Sequence, residues 1–218
     1  MDPLNPRSPD EYQSVAGYGE AEFIIDKSRF IGYALPAADE EAARAFINEL
    51  RTLHPQATHV CSAWIIGAGG LAMRFSDDGE PSGTAGVPML EVLKKEGVTD
   101  IVCAVVRYFG GVKLGAGGLI RAYTRGAVEA LAAAHITTWT RHRALVLTAD
   151  YTFQGTIAHQ LESTDWLLED TTYDDHVHYR LFVPADATDA AAVQIANWTN
   201  GQAQLDWGAL VYKGRKPS

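Results

Sequence analysis

The chain has 218 residues, 47% of them hydrophobic and 21% charged, a balance able to bury a core and inconsistent with a disordered chain. Its formal net charge of −9 argues against a binder of specific duplex DNA, whose electrostatic footprint is basic. Cys61 and Cys103 are its two cysteines; neither lies in a CxxC or a Cys/His cluster at ligand spacing, which excludes a disulfide framework and a structural zinc site and fits a reducing compartment.

Met1 to Pro9 is polar and carries three prolines, so no signal peptide is expected there. The apolar stretches fall short of the roughly 20 residues a spanning helix requires. The expectation is a cytoplasmic protein with no membrane partner. Residues 20–35 alternate apolar and polar around Asp26-Lys27-Ser28, which predicts two strands and a turn. Asp39 to Leu53 spaces Ala42, Phe46, Ile47, Leu50 and Leu53 as an amphipathic helix behind an acidic first turn. His59 to Gly67 and Leu71 to Ser76 read as strands joined by a turn at Gly67 to Gly70, and 77–88 as a loop rich in Gly, Pro and Asp.

Met89 to Glu96 reads as a short helix closed by Gly97, and Asp100 to Tyr108 as a buried strand. That strand enters a glycine segment, FGGVKLGAGGL, after which helical periodicity returns through Ala134. From Arg141 the order is strand 143–151, helix 153–162, strand 166–173, strand 176–183, helix 186–198 and strand 203–212, the split βαββαβ arrangement of ferredoxin-like domains. The pattern predicts an α+β fold of two domains, 1–140 and 141–218.

No acidic residue occurs between Asp100 and Glu129, whereas Arg107, Lys113, Arg121 and Arg125 do. A strand leading through Gly110, Gly111, Gly115, Gly117 and Gly118 into a helix start leaves backbone N–H groups unpaired at the positive end of the helix dipole, geometry suited to a phosphate. The alternative is a tight turn in which glycine permits close packing. Neither a P-loop nor a dinucleotide fingerprint is present. The loop Asp77-Asp78-Gly79-Glu80-Pro81-Ser82-Gly83-Thr84 has three carboxylates, but not at calcium-loop spacing. They are read as capping the turn or pairing with Arg107 or Lys113, with Ser82 or Thr84 as cap of the next helix.

His59 shares a strand face with Cys61 and is the candidate acid/base, with Cys61 or Ser82 as possible nucleophile; no third orienting group is evident, so no catalytic residue is assigned. No metal or cofactor is implied. In the second domain Trp166, Tyr173, Tyr179, Trp198 and Trp207 are read mostly as core, because ten acidic residues face six basic ones and no basic stacking surface exists.

The segments RFSDDGEPSGTAGVPML (74–90) and VVRYFGGVKLGAGGLIRAYTRGA (105–127), with KSRFIGYA (27–34) and ATHVCSAW (57–64), resemble the signature segments of the Impact/YigZ family. The resemblance covers about residues 20–135. It implies a first domain like domain IV of elongation factor G and a second like domain V. Eukaryotic relatives act in translational control, and the family defines no agreed catalytic residues. The reading that results is a non-catalytic partner of RNA or of ribosome-associated components. The alternatives are an enzyme acting on a small phosphorylated or carboxylated ligand at the glycine loop, or an adaptor whose acidic second domain binds protein.

Overall fold

Glu11–Val15 (β1) is a short polar strand whose place is fixed by distant partners: Thr99 N donates to the Gln13 carbonyl at 2.8 Å and Ser14 Oγ to the Asp100 carbonyl at 3.2 Å. Local pattern alone does not reveal it. Asp26 and Lys27 both take positive φ, 45° and 65°, as a tight hairpin prefers, and fold Gly19–Ile25 (β2) onto Ser28–Pro36 (β3). The computed structural model describes residues 9–67 and 70–214. The expectation for the extreme N-terminus and the centre of the 67–70 turn therefore lie outside the described residues.

Glu40–Leu53 (α1) starts where the Asp39 carboxylate accepts the Ala42 amide at 2.8 Å, and it buries Ala43, Phe46, Ile47 and Leu50. His59–Ile66 (β4) and Ala72–Ser76 (β5) form the next hairpin. Gly86–Lys95 (α2) begins three residues before the sequence-based start at Met89. Pro88 is tolerated because first-turn N–H groups have no partner within the helix. Ile101–Tyr108 (β6) and Gly115–Ala134 (α3) complete the first unit.

Its sheet runs β2-β3-β6-β4-β5 with antiparallel neighbours. One face carries Phe30, Cys61, Ala63, Cys103 and Val105 against α2 and α3; the other carries Ile31, Tyr33, Val60, Trp64, Val102 and Val106 against α1. Burial on both faces explains the nearly unbroken apolar run of β6. Among the described residues no helix is long and apolar enough to cross a membrane.

Ile136–Ala149 (β7) is a single strand of 14 residues, starting seven residues before the expected position; its Thr, Ile and Trp residues suit a pleated surface. Gln154–Leu161 (α4), Leu167–Tyr173 (β8), Val177–Pro184 (β9), Thr188–Trp198 (α5) and Gln204–Gly214 (β10) follow. In a five-stranded sheet in which β1 also pairs with β7, the strands run β10-β7-β9-β8, and with α4 and α5 supplying Ile157, Ala191 and Ile195 to the core this is the order of a βαββαβ ferredoxin-like unit. The protein is thus α+β, dividing into compact units at Trp139/Thr140; among the described residues Gly214 belongs to the first unit and residues 9–11 to the second. Trp166, Trp198 and Trp207 pack against the second core and Tyr179 lies within it, whereas Tyr173 is exposed and stacks on Tyr151.

Candidate nucleic-acid interface

Strand parity decides the fate of Arg107. It follows Cys103 and Val105 on the β6 face that meets α2 and α3, directly opposite His59 of β4, so its side chain enters the protein. Arg107 Nη1 donates to Glu80 Oε1 at 2.7 Å, with 6% and 3% of the two side chains exposed. Tyr123 Oη of α3 donates to the same oxygen at 2.7 Å, and Arg107 Nη2 donates to Ser28 Oγ at 3.3 Å. The expectation that Arg107 and Glu80 belong to a surface seeking ligands is therefore corrected: each neutralises the other, because an unpaired charge at this depth is prohibitive. Glu80 does pair with Arg107, one of the two partners expected for the loop.

The other carboxylates of the 77–84 loop are also internally committed. Asp77 accepts the amides of Gly83, Ala85 and Gly86 at 2.8, 3.0 and 2.8 Å, so Asp77, not Ser82 or Thr84, caps the start of α2. Thr84 Oγ1 instead donates to the Pro81 carbonyl, and Ser82 is exposed. Burial pushes the Asp77 carboxyl up, but the three amides together hold it below the ordinary value of 3.8. Asp78 accepts Val60 N at 2.7 Å and Arg51 Nη2 at 3.1 Å, tying the loop to β4 and α1.

His59 is bound into the same loop. Its Nδ1 lies 2.7 Å from the Asp78 carbonyl, which requires Nδ1 to be the donor, and its Nε2 stands 3.8 Å from Glu80 Oε2. Cys61 Sγ donates to the Asp77 carbonyl, and burial pushes its thiol up to about 12. A nucleophile needs a lowered pKa or a base that takes its proton. Cys61 has neither, and the hydrogen bonds of both side chains close the loop onto β4.

The glycine segment combines packing and exposure. A Cβ on Gly110 would lie 2.0 Å from Lys27 C and 2.1 Å from Lys27 O, so only glycine allows this approach to the β2–β3 turn, and the Gly110 amide is satisfied by Ser28 Oγ at 3.2 Å. Gly110 is thus a packing glycine and not an anion ligand. From Gly111 onward the segment turns to solvent, with Gly111, Lys113, Gly115 and Gly117 exposed and Gly118 half-buried against Leu114. Gly115, at φ +68°, opens α3 in a conformation that side chains resist. This helix start has no side-chain cap and no acidic residue in its first turn.

Of the cations nearby, Arg125 Nε is paired with Glu129 Oε1 at 2.7 Å, and its guanidinium lies 4.2 Å from the centre of the Phe23 ring. Arg125 is accordingly not free for an anion. Arg121 and Lys113 are exposed, and neither side chain has a hydrogen bond or ion pair among the described residues. Arg121 Nη1 lies 3.5 Å from the position a Cβ on Gly117 would take, so its charge is folded back over the first turn of α3. The structure thus brings Lys113, Gly115, Gly117 and Arg121 to one exposed helix start. Arg107, Gly110 and Arg125 serve the protein itself. Sequence reasoning passed over Phe109, an aromatic at the end of a buried strand that is 47% exposed; a large apolar residue directly before two glycines was the available signal.

Residues 26–131 match the Impact N-terminal domain family, and residues 147–202 match a domain of unknown function (DUF1949). The chain is 42% identical over 201 residues to the IMPACT family member YvyE of Bacillus subtilis, covering 92% of this chain and 93% of that protein. It is 40% identical over 190 residues to the IMPACT family member YigZ of Escherichia coli, covering 83% and 90%. Similarity to the Protein IMPACT homolog of Saccharomyces cerevisiae is 33% over 103 residues, 45% of this chain and 40% of that protein. A crystal structure described as that of a hypothetical protein superposes with a TM-score of 0.61 at 36% identity, covering 90% of this chain and 97% of that one.

Proposed function

This chain belongs to the IMPACT family, and from that premise we propose that it is a non-catalytic RNA-contacting protein of translational regulation, acting in the cytoplasm and holding phosphate groups at the start of α3. One observation supports the reading above others: the first turn of a 20-residue helix has no side-chain cap and no acid, while Arg121 and Lys113 beside it pair with no carboxylate among the described residues. An anion placed there meets unpaired amides, the positive end of the helix dipole and two cations. The overall charge of −9 does not oppose this, because association with a phosphate depends on the local field and the interval from Asp100 to Glu129 contains no acid. The translational setting rests on the family resemblance, whose eukaryotic members act in translational control.

The test is binding of labelled ribosomal RNA fragments across salt concentrations from about 50 to 200 mM. Affinity should fall linearly on logarithmic axes. A Lys113→Ala/Arg121→Ala variant should weaken binding and reduce the slope by about one unit or less per residue, whereas Arg125→Ala should change it less because Glu129 already neutralises that charge. Absence of binding at low salt, or an unchanged slope in the double variant, overturns the proposal.

A further inference from the structure

Phosphate contacts leave Phe109 unused. It follows β6 directly and is 47% exposed. Its amide donates to Thr58 Oγ1 at 3.0 Å, and the Arg107 guanidinium carbon lies 5.5 Å from its ring centre. That guanidinium is itself fixed by Glu80 and Ser28. The ring therefore rests on a buried, paired cation while its remaining surface meets water. Two residues further on, a Cβ on Gly111 would meet nothing within 4 Å. Val112 and Ile120, from the same loop and helix start, are 41% and 42% exposed.

We propose that Phe109 is a stacking platform for an unpaired base, so that the RNA taken up beside α3 is single-stranded. This deepens the phosphate-contact reading and rests on it. In a duplex each base face is covered by its neighbours and only edges are offered, which a phenyl ring cannot read; an unpaired base offers its face, and stacking tolerates any sequence. Lys113 and Arg121 supply the charge that the backbone of the same strand requires. The cation beneath the ring orients it before the base arrives, which reduces the ordering cost of binding. Arg107 thus acts through Phe109 as a positioning residue and touches no phosphate.

The experiment compares a labelled oligouridylate of about 12 nucleotides with a fully paired RNA hairpin and with phosphatidylserine vesicles, at low salt. Phe109→Ala should weaken oligouridylate binding about ten- to a hundredfold with the salt slope unchanged. Phe109→Tyr should keep most of the affinity, and Phe109→Leu, apolar but not flat, should behave like the alanine variant. The hairpin should bind more weakly and ignore residue 109. Thermal unfolding of each variant confirms that the fold is intact. If Phe109→Ala binds oligouridylate as the wild type does while Lys113→Ala/Arg121→Ala binds weakly, the stacking inference falls and the phosphate reading stands. If the wild type binds no RNA, both fall, and vesicle binding alone would assign the patch to a membrane surface and overturn the inference.

Discussion

Glu80 Oε1 receives Arg107 Nη1 and Tyr123 Oη at the same distance, 2.7 Å, which makes the Glu80–Arg107 pair the pin between the 77–84 loop, β6 and α3. Among the described residues Arg107 Nε is buried with no hydrogen-bond partner, so the pair is incompletely satisfied. Removing one charge is then worse than removing both. Arg107→Met should cost about 3–5 kcal/mol, because it strands the Glu80 carboxylate, and adding Glu80→Gln should recover more than half of that loss. Urea denaturation of the two variants measures it. A cost under about 1 kcal/mol for Arg107→Met, or no recovery in the double variant, contradicts the assignment of the pair as the pin.

Asp77 gives the loop a pH dependence. Its folded pKa lies below the ordinary 3.8, so its contribution is fully present above that value and is lost as pH falls through the folded pKa. Asp77→Asn should be less stable than the wild type by about 1–3 kcal/mol at neutral pH, since it loses a charged acceptor of three amides. The gap should narrow below 3.8 as the wild-type carboxyl takes up its proton. Denaturation midpoints measured across acid pH test this, and a gap that stays constant would place the cost elsewhere.

How much of this was legible in the sequence depends on the range of the contacts involved. The α3 helix and its glycine entry were readable because strand run, glycines and helical period all lie within one segment. The elements after β7 were readable for the same reason, each being bounded by local turn signals, whereas the seven-residue N-terminal extension of β7 was not. The start of α2 was not, because its cap, Asp77, stands nine residues before Gly86. β1 was missed because Glu11–Val15 has no apolar period and is held by Thr99 and Asp100. The site was half legible. Net charge counts cannot separate Lys113 and Arg121 from Arg107 and Arg125, since the difference lies in two glutamates, one of them 27 residues distant. Strand parity could have separated Arg107, which alternates with the buried Cys103 and Val105.

Both cysteines should be inert in the native state. Cys103 is fully buried and Cys61 donates to a carbonyl, and burial pushes each thiol up to about 12. At about pH 8 the thiolate that reacts with disulfide reagents is therefore nearly absent, and access is closed as well. Neither should titrate with a disulfide reagent before unfolding, and both should titrate rapidly in guanidinium. Fast native labelling of Cys61 would restore it as a candidate nucleophile beside His59.

Two adjacent glycines separate the packing role of the loop from its exposed role. Gly110→Ala forces a Cβ to within 2.0 Å of Lys27 backbone, where no flexible side chain can give way, so β6 and the β2–β3 turn must move apart. Overpacking of that kind costs about 1–3 kcal/mol or more. At Gly111 the same methyl meets nothing within 4 Å, and the penalty comes only from holding φ at +86°, about 1–2 kcal/mol. Gly110→Ala should accordingly be the less stable protein in thermal denaturation. It should also weaken oligouridylate binding, because Phe109 precedes the displaced residue, while Gly111→Ala should retain most of the affinity. Equal loss of stability in the two variants would show that the close approach at Gly110 relaxes without cost, and the rigid setting argued for Phe109 would lose its structural basis.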